Sequence, residues 1–313
     1  LNGALGNTAL GHDTLKALTT GDYNVAIGFE TGDALTIGQY NVAIGKSALS
    51  AEDVGNGTVA IGLNSLVSQN SDSDNEETNN TAVGMSTGYT LTTATHSTLI
   101  GTYAGEYIST QNNNTAIGAE AFRYIQGGYG NTAVGDLAMK SGGTAADNDA
   151  SDNTAIGRYA LGVITDGDDN VAVGNNAGDA ITTGSNNVIV GKESATALTT
   201  SSANVALGYR SLKTATTAAE NVAIGRGCME DVKAAVAVTG CVAVGRNALL
   251  GNSSNTTGID HTIAIGYSAL QALTTGAGNI AIGYQAGDAM TDNQRNTIIG
   301  YQAFTAANSG EDN

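Results

Sequence analysis

The residues of this chain best suited to chemistry lie where an otherwise regular pattern is interrupted. Asp72, Asp74, Glu76 and Glu77 alternate with or adjoin polar residues in one short stretch, and Asp147, Asp149 and Asp152 do so in another. Closely spaced carboxylates on a loop can chelate Ca²⁺, which accepts roughly six to eight oxygens in irregular geometry. Neither stretch has the spacing of an EF-hand or of the calcium-binding nonapeptide repeat, and a solvated acidic loop explains each as well. No other cofactor is implied. Tyr209, and then Tyr267, Tyr284 and Tyr301 in successive copies, each follow the glycine that closes a recurring motif. In register these rings would form an exposed stripe able to stack on sugar rings or anchor a protein partner, or a ladder that only supports its neighbours. Cys228 and Cys241 share one irregular stretch, where a disulfide could pin the loop or two buried thiols could stand apart. His12, His96 and His261 have no Cys or acidic partner at a metal-ligand spacing. Cleavage of a polysaccharide needs two carboxylates about 5 to 9.5 Å apart, whereas the acidic residues here fall mainly in loops and turns. No nucleophile motif or phosphate-cradling glycine loop appears, so the chain is expected not to be an enzyme.

The element that must carry these residues is a pentad, Asn-(Thr/Val)-Ala-(Ile/Val)-Gly, repeated seventeen times. Its closing glycines run from Gly11 to Gly300 with twelve of sixteen spacings equal to 17 and the others 20, 21, 22 and 22. The departures are insertions only, near residues 67–79, 140–152, 228–240 and 250–261, as expected of a fixed coil with optional loops. The pentad is short and β-prone, so each coil should contribute one strand ended by its glycine. Both faces of that strand are small or apolar, which predicts cover on both sides. After the glycine, apolar residues at i, i+1 and i+4, as in Ala160, Leu161 and Ile164, suit one or two helical turns or a plain turn segment. The expected fold is therefore a parallel β-solenoid, a β-helix or β-roll of about seventeen coils, continuous over residues 1–313 and roughly 80 Å long at the usual strand spacing.

The pentad opens with Asn in thirteen copies, among them Asn24, Asn41, Asn114, Asn131, Asn153, Asn170, Asn187, Asn204 and Asn221. Stacked about 4.8 Å apart, these side chains can form an amide ladder, or Asn can simply suit the turn. Cys241 takes the same position in its copy.

Composition fits this reading. Forty-three glycines, no proline, no tryptophan and three phenylalanines leave Ala, Val, Ile and Leu to fill the core. A net charge of −17 disfavours nucleic acid and anionic membranes as partners. No apolar run reaches the length of a membrane span, and no signal segment opens the chain. The sequence starts inside the repeat, as a segment of a longer protein would.

At the pentad, in copies such as Asn114-Thr115-Ala116-Ile117-Gly118 and Asn153-Thr154-Ala155-Ile156-Gly157, the chain resembles the YadA-like head repeats of trimeric autotransporter adhesins and the similar 17-residue repeats of phage tail fibres and bacterial surface fibre proteins. The continuations at Tyr267 to Leu270 and Tyr284 to Gly287 share in the resemblance. It implies a parallel β-solenoid, commonly a homotrimer, displayed outside the cell, on a cell surface or on a virion, and used for attachment. It also implies a left-handed roll, whereas parallel strands joined by helical crossovers are right-handed in about 98% of cases; the sequence supports either hand. The expected function is a structural or adhesive rod, with itself as partner in a trimer or end to end, and with a surface glycan or protein receptor as a further partner. Two alternatives are a subunit of a self-assembling filament and an ice-binding solenoid. The second rests on Thr81, Thr98, Thr115, Thr132 and Thr154, which share one pentad position, although Val or Ile there in other copies argues for burial.

Overall fold

The computed structural model describes residues 3–142, 148–232, 237–252 and 256–305. They fall into two compact units, Leu1–Asn153 and Thr154–Asn313, and each unit is a parallel β-solenoid with one three-residue strand per repeat. The first holds β1 (Thr8–Leu10), β2 (Val25–Ile27), β3 (Val42–Ile44), β4 (Val59–Ile61), β5 (Thr81–Val83), β6 (Thr98–Ile100), β7 (Thr115–Ile117) and β8 (Thr132–Val134). The second holds β9 (Thr154–Ile156), β10 (Val171–Val173), β11 (Val188–Val190), β12 (Val205–Leu207), β13 (Val222–Ile224), β14 (Val242–Val244), β15 (Ile263–Ile265), β16 (Ile280–Ile282) and β17 (Thr297–Ile299).

Within each unit every strand pairs in parallel with the next, always at the same pentad position. Val25 lies opposite Val42 and Val205 opposite Val222. The insertions leave this register intact: Val59 pairs with Thr81 across the first, and Val222 with Val242 and Val242 with Ile263 across two others. Added residues are expelled as loops because a slip of one residue would exchange the buried and outward faces of the strand.

The closing glycine is required twice over. Its φ lies in the left-handed half of the map, +129° at Gly45 and +139° at Gly191. A Cβ there would also sit 2.5 Å from the Gly62 carbonyl oxygen and 2.4 Å from that of Gly208, respectively. Only a residue without a side chain lets adjacent coils approach this closely.

The segment after the glycine is a turn and not the helical alternative. Residues two and four places on take positive φ in every coil, as at Ser47 (+55°) with Leu49 (+53°) and Ser268 (+53°) with Leu270 (+49°). An α-helix needs successive negative φ values. The physical reason is where the amides go. Leu49 N–H donates to Ser65 O at 3.0 Å and Leu270 N–H to Ala286 O at 3.0 Å, both in the next coil. Left-handed backbone costs a non-glycine residue about 1–2 kcal/mol, and these inter-coil bonds offset it. The i, i+1, i+4 apolar spacing arises because this turn points the same positions inward: Ala160, Leu161 and Ile164 are fully buried.

The interior of a coil is thus built from the strand's central residue, the two turn positions and, in most coils, one further aliphatic. Where the central alanine becomes larger, glycine appears across from it. Leu99 faces Gly88 and Gly105, Ile189 faces Gly178, and Ile298 faces Gly287. A Cβ at Gly105 would lie 2.9 Å from Leu99 Cδ2, so interior volume is conserved by exchange between neighbouring coils.

Cover on both faces of the strand is not what the chain provides. From β2 onward the central residue is buried, while its two flanking residues stay partly exposed. One face fills the coil; the other, made of Val, Ile and Thr, opens outward. No helix of the described residues is long and apolar enough to cross a membrane.

Candidate functional site

The outward strand face is the most regular candidate surface in each unit. Its two columns are the pentad's second and fourth positions, and none of the described side chains in them is buried. Ile117 is 36% exposed and Ile156 42%, unusually open for side chains of this type set in a sheet. The threonine row lies on this face in the first unit at Thr81, Thr98, Thr115 and Thr132, with intermediate exposure, and Thr154 takes the same position in the second unit. Full burial, the reason for doubting an ice-binding row, does not hold here: Val171 and Val188 at that position are exposed and the other Val and Ile there are partly exposed. The first unit's row stops against Val59, so its flat run of hydroxyls spans four coils.

Inside the coil the pentad asparagines bind backbone. Each Oδ1 accepts the N–H of the next coil's first pentad residue: Asn41 N–H to Asn24 Oδ1 at 2.9 Å, Asn131 to Asn114 at 3.0 Å, Asn153 to Asn131 at 3.0 Å, Asn187 to Asn170 at 3.0 Å, and Asn221 to Asn204 at 3.2 Å. Each Nδ2 donates to a buried carbonyl of the following turn, as from Asn187 to Ser201 O at 2.9 Å and Asn204 to Ala218 O at 2.8 Å. Amide-to-amide bonds link Asn187 and Asn170 at 3.0 Å and Asn204 and Asn187 at 3.1 Å. The ladder satisfies backbone groups that would otherwise be buried without partners. Thr58, Ser97, Cys241 and Thr262 interrupt it, but the backbone N–H of Thr58, Ser97 and Cys241 still donates to the preceding Asn Oδ1.

Tyr267, Tyr284 and Tyr301 are brought together. Successive ring centroids are 5.1 Å apart with planes 10° from parallel, and exposure rises from 38% to 42% to 74%. Their faces rest on one another, so the stack presents ring edges and hydroxyls sideways in place of open platforms for sugars. Arg246 lies over the other side of Tyr267, 5.6 Å from its centroid. Tyr209 is held apart, with Arg210 and Arg226 over its ring at 5.0 and 5.8 Å.

The acidic loops remain open arrays. Asp72, Asp74 and Glu77 are exposed, and Glu76 turns back so that its Oε2 accepts the Asp72 N–H at 3.2 Å. Among the described residues no three His, Cys, Asp or Glu side chains gather in a way that could hold a metal ion. In the second loop Asn148 is the anchor, donating to Tyr124 O at 2.9 Å and Ser141 Oγ at 2.7 Å. Asp149 and Asp152 are exposed; Asp147 lies outside the described residues.

Cys228 and Cys241 are free, buried thiols, each donating to a carbonyl at 3.1 Å. Burial pushes the thiol of Cys228 up to about 12 and that of Cys241 up to about 11, which leaves both inert near neutrality. A buried carboxylate escaped the sequence reading. Glu52 stands seventeen residues after Leu35, at an interior aliphatic position, and is fully buried. Its oxygens accept from Gly55 N–H at 2.7 Å, Gln69 Nε2 at 2.9 Å and Ser71 Oγ at 3.1 Å. Gln69 occupies the same position one coil on, so the 17-residue alignment signals this polar layer. The layer ties the first insertion to the coil beneath it.

In the first unit Arg123 bridges neighbouring coils. It reaches Glu106 at 2.5 Å and Glu120 at 3.0 Å and lies over Tyr103 and Tyr124. Lys140 adds a 2.8 Å contact to Glu120 and, with Arg123, holds that carboxyl below its ordinary value. Comparison of the chain with family models, curated proteins and solved structures finds no match.

Proposed function

We propose that the chain is a structural and adhesive segment of an extracellular or virion surface fibre, in which three copies associate through the outward faces of their strands. The observation that carries this is the partly exposed double column on each unit, made almost wholly of Val, Ile and Thr. A face so regular and apolar, left open by the chain itself, is what a partner surface looks like before assembly. The resemblance of the pentad to trimeric adhesin and tail-fibre repeats supports the number three. A repeated surface favours weak contacts multiplied along the fibre over one tight pocket.

Charge placed on that face tests the reading. Ile44→Asp in the first unit and Ile224→Asp in the second point outward, where a carboxylate is solvated in a single chain but destabilises an apolar contact. Light scattering should report a fall in mass for the double variant with circular dichroism unchanged. A variant that keeps the wild-type mass would remove this face from the assembly.

A further inference from the structure

The position directly after the closing glycine forms a second column, on the second unit, that neither the ladder nor the outward strand face absorbs. From β9 to β17 it reads Arg158, Asn175, Lys192, Tyr209, Arg226, Arg246, Tyr267, Tyr284, Tyr301. Backbone hydrogen bonds fix it in register: the carbonyls of Lys192, Arg226, Arg246 and Tyr284 accept from the next coil's turn at 3.2, 3.0, 2.9 and 2.8 Å. The 20- and 21-residue steps do not break the column.

Its composition departs from that of the chain. The second unit carries eight Lys and Arg (positions 158, 192, 210, 213, 226, 233, 246 and 295), and four of them stand in this column, which contains no Asp or Glu. Eight Lys and Arg spread evenly over residues 154–313 would put fewer than one in any nine positions, so four is an enrichment. Arg226 and Arg246 are exposed, and among the described residues neither has a carboxylate within ion-pairing distance. Each is steadied instead over a tyrosine ring, Tyr209 and Tyr267 respectively, which leaves the guanidinium edges to solvent. Lys192 is exposed and shares Glu193 with Arg210. Beyond Arg246 the stacked tyrosines continue the line with a row of hydroxyls.

From this we infer that the column is a binding track for a linear acidic polysaccharide, one bearing carboxylates or sulfates along an extended chain. Coils about 4.8 Å apart put recognition groups at intervals close to the length of one sugar unit. Exposed guanidinium groups pair with carboxylate or sulfate in two-pronged fashion. Phenolic hydroxyls donate to or accept from sugar hydroxyls where the cations end. Single-stranded nucleic acid is the poorer fit. Its bases need open ring faces to stack on, and these rings are stacked on each other.

The test uses the whole chain with heparin and polygalacturonate as acidic probes, dextran as the neutral one, and a single-stranded oligonucleotide. The track predicts binding to an acidic polysaccharide that weakens as salt rises, with dextran and the oligonucleotide bound weakly or not at all. Arg226→Glu with Arg246→Glu should weaken that binding by at least about tenfold, whereas Lys213→Glu, off the column, should change it less than about twofold. Melting curves of each variant separate lost binding from lost fold. Absence of binding, binding untouched by the double variant in a folded protein, or equal binding of the oligonucleotide would each overturn the assignment. The measurement does not depend on whether the chain is trimeric, which light scattering of the same samples reports separately.

Discussion

Asn187 illustrates what one residue does in this fold. Its amide accepts the Asn204 N–H, donates to Ser201 O and donates to Asn170 Oδ1. Asn187→Ala strands a buried donor and a buried acceptor of the next coil, and should cost about 2–4 kcal/mol by denaturant unfolding. Asn7→Ala should cost less, because Asn7 is only partly buried. The two thiols give a second expectation. With Cys228 and Cys241 protonated and enclosed, neither should react with iodoacetamide near pH 8 in the folded chain, and both should react in denaturant. A third concerns Asp179, whose carboxyl burial pushes above its ordinary value of 3.8 against the pull of the Asn176 hydrogen bond. The folded state then holds that proton more tightly than the unfolded chain. Stability should fall as pH rises from 3.8 through the raised value, and the loss persists above it. Asp179→Asn should raise the melting temperature at neutral pH and flatten this part of the pH profile. The ladder was legible at this scale because Asn recurs at a fixed phase. Glu52 was not, since one carboxylate at one interior position is visible only once the coils are aligned against their neighbours.

A coil is one strand, one turn and a return, and its parts answer to the coils on either side more than to their own sequence. That is why the strand was readable and the turn was not. The pentad carries its own evidence in β-branched residues and a glycine. The segment after it has a helical apolar spacing but takes its shape from neighbouring carbonyls, such as Ala177 O accepting from Leu161 N–H at 3.0 Å. A short window of sequence holds no trace of that partner. The exchange of volume between coils leads to a prediction at this scale. Leu99→Ala empties the space that Gly88 and Gly105 leave for it and should destabilise by about 2–5 kcal/mol. The more common Ala at the same strand position, Ala116 for example, fills its coil without such help. Gly191→Ala should be worse than either, because the new Cβ would meet the Gly208 carbonyl oxygen at 2.4 Å. Local loss of β11–β12 protection in hydrogen exchange is the expected signature.

For the whole molecule, the repeat places a single chemical choice in many copies, so function is carried by columns and not by constellations. Three columns matter: the amide ladder that holds the coils, the outward apolar and threonine face proposed to join copies, and the basic and aromatic line of the second unit. The sequence made the first visible as a periodicity and, for the second, showed only that its residues are apolar. It concealed the outward face as such, because apolar residues on both sides of a strand look alike until one side is seen to be filled by the coil's own turn. It concealed the third because its members differ in type, and only their common phase after the glycine unites them. The claim on which the account turns is that the outward strand face joins copies of this chain. Sedimentation equilibrium of the purified protein measures this most directly. The account predicts a mass three times the 31.3 kDa of the chain, held on dilution through the micromolar range, and a stable 31.3 kDa monomer across that range would contradict it.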